Sequence, residues 1–351
     1  MAQALFEAAQ QNDVATLTAA LDSDPATRDI RDHPHEWTLL HHAARQGHLN
    51  VVDLLLDRGF DVNTLETGDH TTALHWAAAA GHVAVVRRLL DAGVDPVGHG
   101  DDHELDAIGW ATCWDDTDTD RHRQVVALLL ERGARHHIFS AIAMNLEDEV
   151  RRIIADDPPS LGRIMSRFED YRMPLHFAVR MNRSEMVALL IKLGANPWGK
   201  DGSGFLPGAY AMVNGADRAV NHAYRDRGYL DLFTTVALDD FSVAGTILRN
   251  DPSRLQGSCV LPLMAKRGHV AAVRWLLERG ADPNALWAHW DARVTPLHMA
   301  VFGNHPEAVR ALLDAGANPR IADSKHASDA IGWAEFFGRP ALARLMEQKD
   351  E

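Results

Sequence analysis

The chain has 351 residues, 46% of them apolar, and a net charge of −14 from 35 basic and 49 acidic side chains. Nucleic-acid binding needs a basic face, so phosphate backbones are excluded as expected partners, and two cysteines, Cys113 and Cys259, make no disulfide framework in a chain this long. No apolar stretch reaches membrane-spanning length, and Met1 to Asp13 lacks a basic segment followed by an apolar one. No membrane partner and a cytoplasmic location are therefore expected.

In chain order, Leu5 to Pro25 reads as two short helices closed by Asp24-Pro25, since proline cannot continue a helix. A new phrase begins at Thr38 with Leu40-His41-His42-Ala43. A Gly47-His48 turn follows, then an apolar second helix through Val51, Val52 and Leu55, and Gly59 stands where a left-handed cap is wanted. Thr72 to Val94 restates this with Leu74-His75-Trp76-Ala77, and glycines 59 and 93 are 34 apart. Asp106-Ala107-Ile108-Gly109-Trp110-Ala111 opens a third copy ending at Ala134, with Asp106 read as its N-cap. Ile138 to Pro158 resembles the opening helix pair, Leu175 to Ala195 is another repeat, and Leu232 to Pro252 is the opening pair a third time. The clearest late copy runs from Val294 to Ala317, with Thr295 as cap and Pro296 at the first helical position. Asp323 to Glu351 closes the chain, and Asp329-Ala330-Ile331-Gly332-Trp333-Ala334 matches the start of the third repeat. A recurrence of roughly thirty residues marks a solenoid, because each unit is too small to bury its own apolar face. The three opening pairs divide the chain into modules 1–136, 137–230 and 231–351, read as one continuous stack.

Thr-Pro-Leu-His at 295–298, Gly-His at 47–48 and Leu-Leu-x-x-Gly-Ala at 312–317 resemble the ankyrin repeat. The resemblance implies an all-α ankyrin-repeat solenoid of about eleven helix–turn–helix and hairpin units. Module 1–136 would hold the N-terminal cap and three repeats, 137–230 degenerate repeats, and 231–351 the C-terminal cap. It also implies that His41, His75, His176 and His298, with the turn histidines His48, His82, His269 and His305, orient backbone rather than ligate. Ankyrin proteins bind along a concave surface of hairpin fingers and first helices. The offsets of that surface select His35, Trp37, His42, Asp69, Trp76, Asp102, His103, Trp110 and Trp114, then Asp170, Arg172 and Tyr210, then Trp290 and Asp291. The expected function is an interaction protein that grips a protein or peptide partner there, with the four tryptophans of the first module as anchors. Trp287 and Trp290 lie on a finger about three residues longer than usual for the family, expected to fold over the groove.

Aromatics interleaved with carboxylates and imidazoles also suit a sugar or another small ligand. Asp102, His103 and Cys113 can be drawn as a base and nucleophile, and Asp69, Asp102, Glu169 and Asp170 as acid–base carboxylates. A small-molecule or carbohydrate-binding protein, or an enzyme of hydrolase or lyase type, is therefore the alternative; no spacing is diagnostic of a reaction, which makes catalysis the weaker reading. Asp116, Asp118 and Asp120 alternate as carboxylates do in calcium loops, but Arg121 stands where glycine is needed and no glutamate closes the loop. No metal and no cofactor is expected.

Overall fold

Each repeat begins where side chains replace the missing helical partners. Ahead of the helix Leu39–Gln46, Thr38 Oγ1 accepts from the N–H groups of Leu40 (3.2 Å) and His41 (3.3 Å). His41 Nδ1 in turn accepts from the Thr38 N–H at 3.3 Å, which completes a reciprocal box. Thr72 with His75 opens Ala73–Ala79, and Thr295 with His298 opens Pro296–Gly303, in the same way. With Nδ1 occupied, each ring turns its Nε2–H to the next repeat. His41 donates to the Thr71 carbonyl (3.2 Å), His75 to Gly98 (3.0 Å) and His298 to Ser328 (3.1 Å). These imidazoles are backbone braces, as the resemblance implies.

The computed structural model describes residues 2–114, 117, 119–165, 173–201, 206–208, 222–223, 225–228, 231–256, 259–289 and 292–348. Twenty α-helices and one two-stranded hairpin are found among them. Second helices such as Leu49–Asp57 and Val83–Asp91 bury Val51, Val52 and Leu55, and Val85, Val86 and Leu89, completely or nearly so. At about 1.5–3 kcal/mol for each fully buried aliphatic side chain, this packing rather than helix propensity holds such short helices together. Gly47 closes Leu39–Gln46 in the left-handed region, at φ +77°, and a Cβ there would lie 2.5 Å from His82 Nδ1. Only glycine meets both demands. His48, His82 and His122 then donate through Nε2 to the carbonyls of Gln10 (2.8 Å), Arg45 (2.9 Å) and Ala79 (2.9 Å), each in the preceding repeat.

The chain forms two compact units, Met1–Pro174 and Leu175–Glu351. One core runs from Leu5 to Ala134, the other from Leu232 to Met346. The three opening pairs are Ala2–Gln10 with Val14–Ser23, Ile138–Ala143 with Glu147–Asp156, and Leu232–Ala237 with Phe241–Asn250. Each is followed by a 3-10 turn that starts on the Asp-Pro proline: Pro25–Asp29, Pro158–Gly162 and Pro252–Leu255.

One local expectation needs correction. Asp106 is not an N-cap: it lies inside the helix Asp106–Trp110 at φ +55°, with Leu105 at the cap. Its N–H is bound to the Asp101 carboxylate at 2.9 Å, so the finger rather than Asp106 satisfies this helix start. In the long finger, strands Trp287–His289 and Ala292–Val294 pair antiparallel with Trp287 opposite Val294. Trp287 is buried against the core, and the Arg293 N–H donates to Ser324 Oγ (2.7 Å) while the Ser324 N–H donates to the Arg293 carbonyl (3.1 Å). These strands are thus fastened to the following finger. The tip, Trp290 and Asp291, lies outside the described residues.

Candidate partner-binding cavity

The fingers owe their shape to carboxylates that the sequence reading did not single out, Glu66, Asp101 and Asp323 buried and Asp32 half-buried. Glu66 accepts from the N–H groups of Gly68, Asp69 and Thr71 and from the Thr71 hydroxyl (2.7 Å). Asp101 accepts from the N–H groups of His103, Leu105 and Asp106 and from Trp110 Nε1–H at 3.1 Å. Asp32 takes the Trp37 N–H (2.7 Å) and pairs with His42 Nε2 (2.8 Å). In the second unit Asp323 accepts from Lys325, His326 and Ser328 and from Trp333 Nε1–H (3.0 Å). Burial pushes the Asp323 carboxyl up, yet these donors outweigh it and hold it at about 2. The signal was present: Asp32, Glu66 and Asp323 each stand six residues before a helix cap, Thr38, Thr72 and Asp329.

On this frame four tryptophans meet: Trp37 just ahead of one first helix, Trp76 and Trp110 within the next two, and Trp114 just past the last of these. Ring centroids are 4.4 Å apart for Trp37–Trp76, 5.0 Å for Trp76–Trp110 and 5.4 Å for Trp110–Trp114, the last two edge to face. A cavity of about 390 Å³ opens beside them, lined by Arg45, Asp69, Trp76, Ala79, Ala80, His103, Trp110, Trp114 and Thr117. Trp37 and Trp110 are almost wholly buried, whereas Trp76 and Trp114 keep part of their surface exposed. The first pair is therefore wall and the second pair offers contact surface. Among the described residues, neither buried Nε1 of Trp76 and Trp114 has a hydrogen-bond partner. A buried donor left unpaired costs about 1–3 kcal/mol, so both N–H groups are open to an acceptor brought by water or by a ligand.

Charge surrounds the strip. The Arg45 guanidinium carbon lies 5.3 Å from the Trp37 ring centroid and 5.1 Å from that of Trp76. Asp69 and His103 Nε2 are 3.3 Å apart, and the hydrogen bond from His103 holds the Asp69 carboxyl below the usual carboxylate range despite partial burial. Asp102 pairs with His70 at 3.0 Å, and its N–H donates to the Asp69 carbonyl at 2.9 Å, tying neighbouring fingers. His42 is buried between Asp32 and Gln10 and its ring meets that of Trp37 at 5.1 Å, tilted by 52°, so it is part of the wall. Burial pushes its pKa down, against Asp32. The His35 carbonyl accepts from Thr67 N–H (2.9 Å) and thus joins two fingers. Cys113 is fully buried. Asp170, Arg172 and Tyr210 lie outside the described residues, as do Asp115, Asp116 and Asp118 of the acidic insertion. Among the described residues, no cluster of three or more metal-ligating side chains occurs and no helix is long and apolar enough to cross a membrane.

Family comparison agrees with this architecture. Residues 5–100 and 62–140 match the family of ankyrin repeats in three copies, 170–201 the single ankyrin repeat, and 263–313 ankyrin repeats in many copies. The chain is an ankyrin-repeat protein. Among its relatives, the E3 ubiquitin-protein ligase XB3 of Oryza sativa subsp. japonica is 32% identical over 103 residues, covering 28% of this chain and 22% of that protein. The probable E3 ubiquitin-protein ligase XBOS31 of the same plant is 42% identical over 67 residues, 19% of this chain and 15% of that protein. The ankyrin-repeat chain thus spans less than a quarter of either relative's length, and the shared part carries their repeats into the comparison rather than the whole of either protein.

Proposed function

We propose that this ankyrin-repeat protein is an interaction module that binds a protein or peptide segment at the tryptophan-walled cavity of its first unit. The observation that carries the reading is the cavity of about 390 Å³, where two partly exposed indole rings, Trp76 and Trp114, stand on a wall of buried ones beside Asp69 and Arg45. Tryptophan and arginine dominate the energetics of interfaces, and an anchor gains most where its surroundings are already ordered. Here ordering is built in, through Asp101 beneath Trp110 and the finger-to-finger bonds of His35 and Asp102. The cavity lies within module 1–136, which becomes the recognition module on this reading.

Its size also falls within the range of small-ligand pockets, so a saccharide or metabolite is the second reading. One experiment addresses both. Peptides selected from a random display library on the folded chain should quench tryptophan fluorescence, and Trp76→Ala and Trp114→Ala should each weaken them about tenfold or more. If no selected peptide depends on either ring, while a saccharide or metabolite panel yields ligands that do, peptide recognition is refuted and the second reading replaces it.

A further inference from the structure

Repeat register shows what is missing from the cavity. Counted from the helix caps Thr38 and Thr72, Arg45 and Ala79 occupy the same position, seven residues on. His42, Trp76 and Trp110 are likewise equivalent to one another in the three successive first helices. In the first repeat the long side chain at this position leans across the strip, placing its guanidinium within 5.1 Å of Trp76, the ring of the following repeat. One repeat later the backbone offers only a methyl group, and the place facing the following ring, Trp110, is empty volume lined by Ala79 and Ala80.

We propose that this vacancy receives the guanidinium of an arginine carried by the partner, held by the partly exposed rings of Trp76 and Trp114 beside the buried wall of Trp110, much as Arg45 is set against Trp37 and Trp76. The idea rests on the peptide-binding reading above and names the group bound. Three observations favour it. Trp76, Trp110 and Trp114 meet near right angles, at 69° and 73°, so that ring faces of different orientation border one space, an arrangement that suits a cation. Asp69, with 32% of its side chain exposed, supplies a carboxylate in the wall, and the chain's net charge of −14 favours the approach of a basic segment. A flat guanidinium stacks on indole and pairs with a carboxylate at once, whereas an ammonium is held more strongly by its water. Arg45 shows that the strip already accommodates this group.

The test compares acetyl-Gly-Arg-Gly-amide with its citrulline counterpart, which has nearly the same shape and no charge, by following the tryptophan side-chain resonances. The arginine peptide should bind about tenfold more tightly or better. Ala79→Arg, which fills the vacancy from within the chain, should abolish that preference and leave the melting temperature equal or higher. Asp69→Asn should weaken the arginine peptide several-fold, and it keeps the test decisive if Ala79→Arg fails to fold. Equal binding of the two peptides, unchanged binding by a folded Ala79→Arg, or unchanged binding by Asp69→Asn overturns the assignment. Peptides selected from the display library that depend on Trp76 and Trp114 yet contain no arginine would overturn it too, while leaving the peptide-binding function in place.

Discussion

Trp110→Ala separates wall from contact surface. The ring is 3% exposed and makes edge-to-face contacts with His75 (5.7 Å), Trp76 (5.0 Å), His103 (5.5 Å) and Trp114 (5.4 Å). Truncating a buried tryptophan costs about 3–5 kcal/mol, and the hydrogen bond to the Asp101 carboxylate, at 3.1 Å, adds to the loss. The deleted ring borders an existing cavity, so water can enter and solvate Asp101, which returns part of that sum. A net loss of about 4 kcal/mol is expected. Trp110→Phe keeps most of the packing and removes the N–H, for about 2 kcal/mol. Trp76→Ala removes a partly exposed ring with no hydrogen bond and should cost about 1–2 kcal/mol. Urea unfolding followed by circular dichroism measures all three, read on the transition in which the first unit unfolds. A loss below roughly 1 kcal/mol for Trp110→Ala, or one no larger than that of Trp76→Ala, would refute the assignment of Trp110 to the wall.

Three further outcomes are expected. Burial pushes His41 down to about 4 and His137 to about 3, both below the value of 6.5 for a free histidine, so the unfolded chain takes up protons first as pH falls. Stability should be level above pH 6.5 and decline towards pH 4, by up to ~1.4 kcal/mol per pH unit for each histidine; a melting temperature that stays flat across this window contradicts the burial of these rings. Asp323→Ala leaves four donors of the last finger without their acceptor and should cost about 2–4 kcal/mol, with hydrogen exchange accelerating at Lys325, His326 and Ser328. Unchanged exchange there would show that the carboxylate is dispensable. Gly47→Ala combines a left-handed backbone with a clash against the His82 ring and should destabilise by about 1–3 kcal/mol in thermal melts, whereas Gly93→Ala, with nothing within 4 Å, should suffer the backbone strain alone.

Much of this was legible because the repeat writes its own constraints. Thr38 with His41 and Thr295 with His298 are local bonds between residues three apart, and such bonds leave a fixed spacing in the sequence. The same is true of Gly47, whose backbone conformation few other residues adopt. The alignment of Trp76 and Trp110 also followed from period alone, since equivalent positions stack along a solenoid. What period could not give was burial: Trp37 and Trp76 are adjacent in space, yet one is closed into the wall and the other is partly open. That depends on Arg45, His42 and Gln10, which reach the strip from two different helix pairs. The finger carboxylates were passed over for another reason. An aspartate in a loop is usually solvated, and nothing short of the recurrent six-residue offset to the cap distinguishes Asp32, Glu66 and Asp323.

The turn histidines have a consequence for how this chain can change. His48, His82 and His122 each reach back into the preceding repeat, so these three joints are closed by the newcomer clasping what is already in place. His82 follows Trp76 by six residues, but His122 follows Trp110 by twelve, and the bond to the preceding repeat is made all the same. Extra length ahead of the clasp thus leaves the bond to the preceding repeat in place. Length is therefore tolerated at such a joint, as it is in the long finger of Trp287–Val294, and new loops can be grafted there while the bonds between repeats stay unaltered.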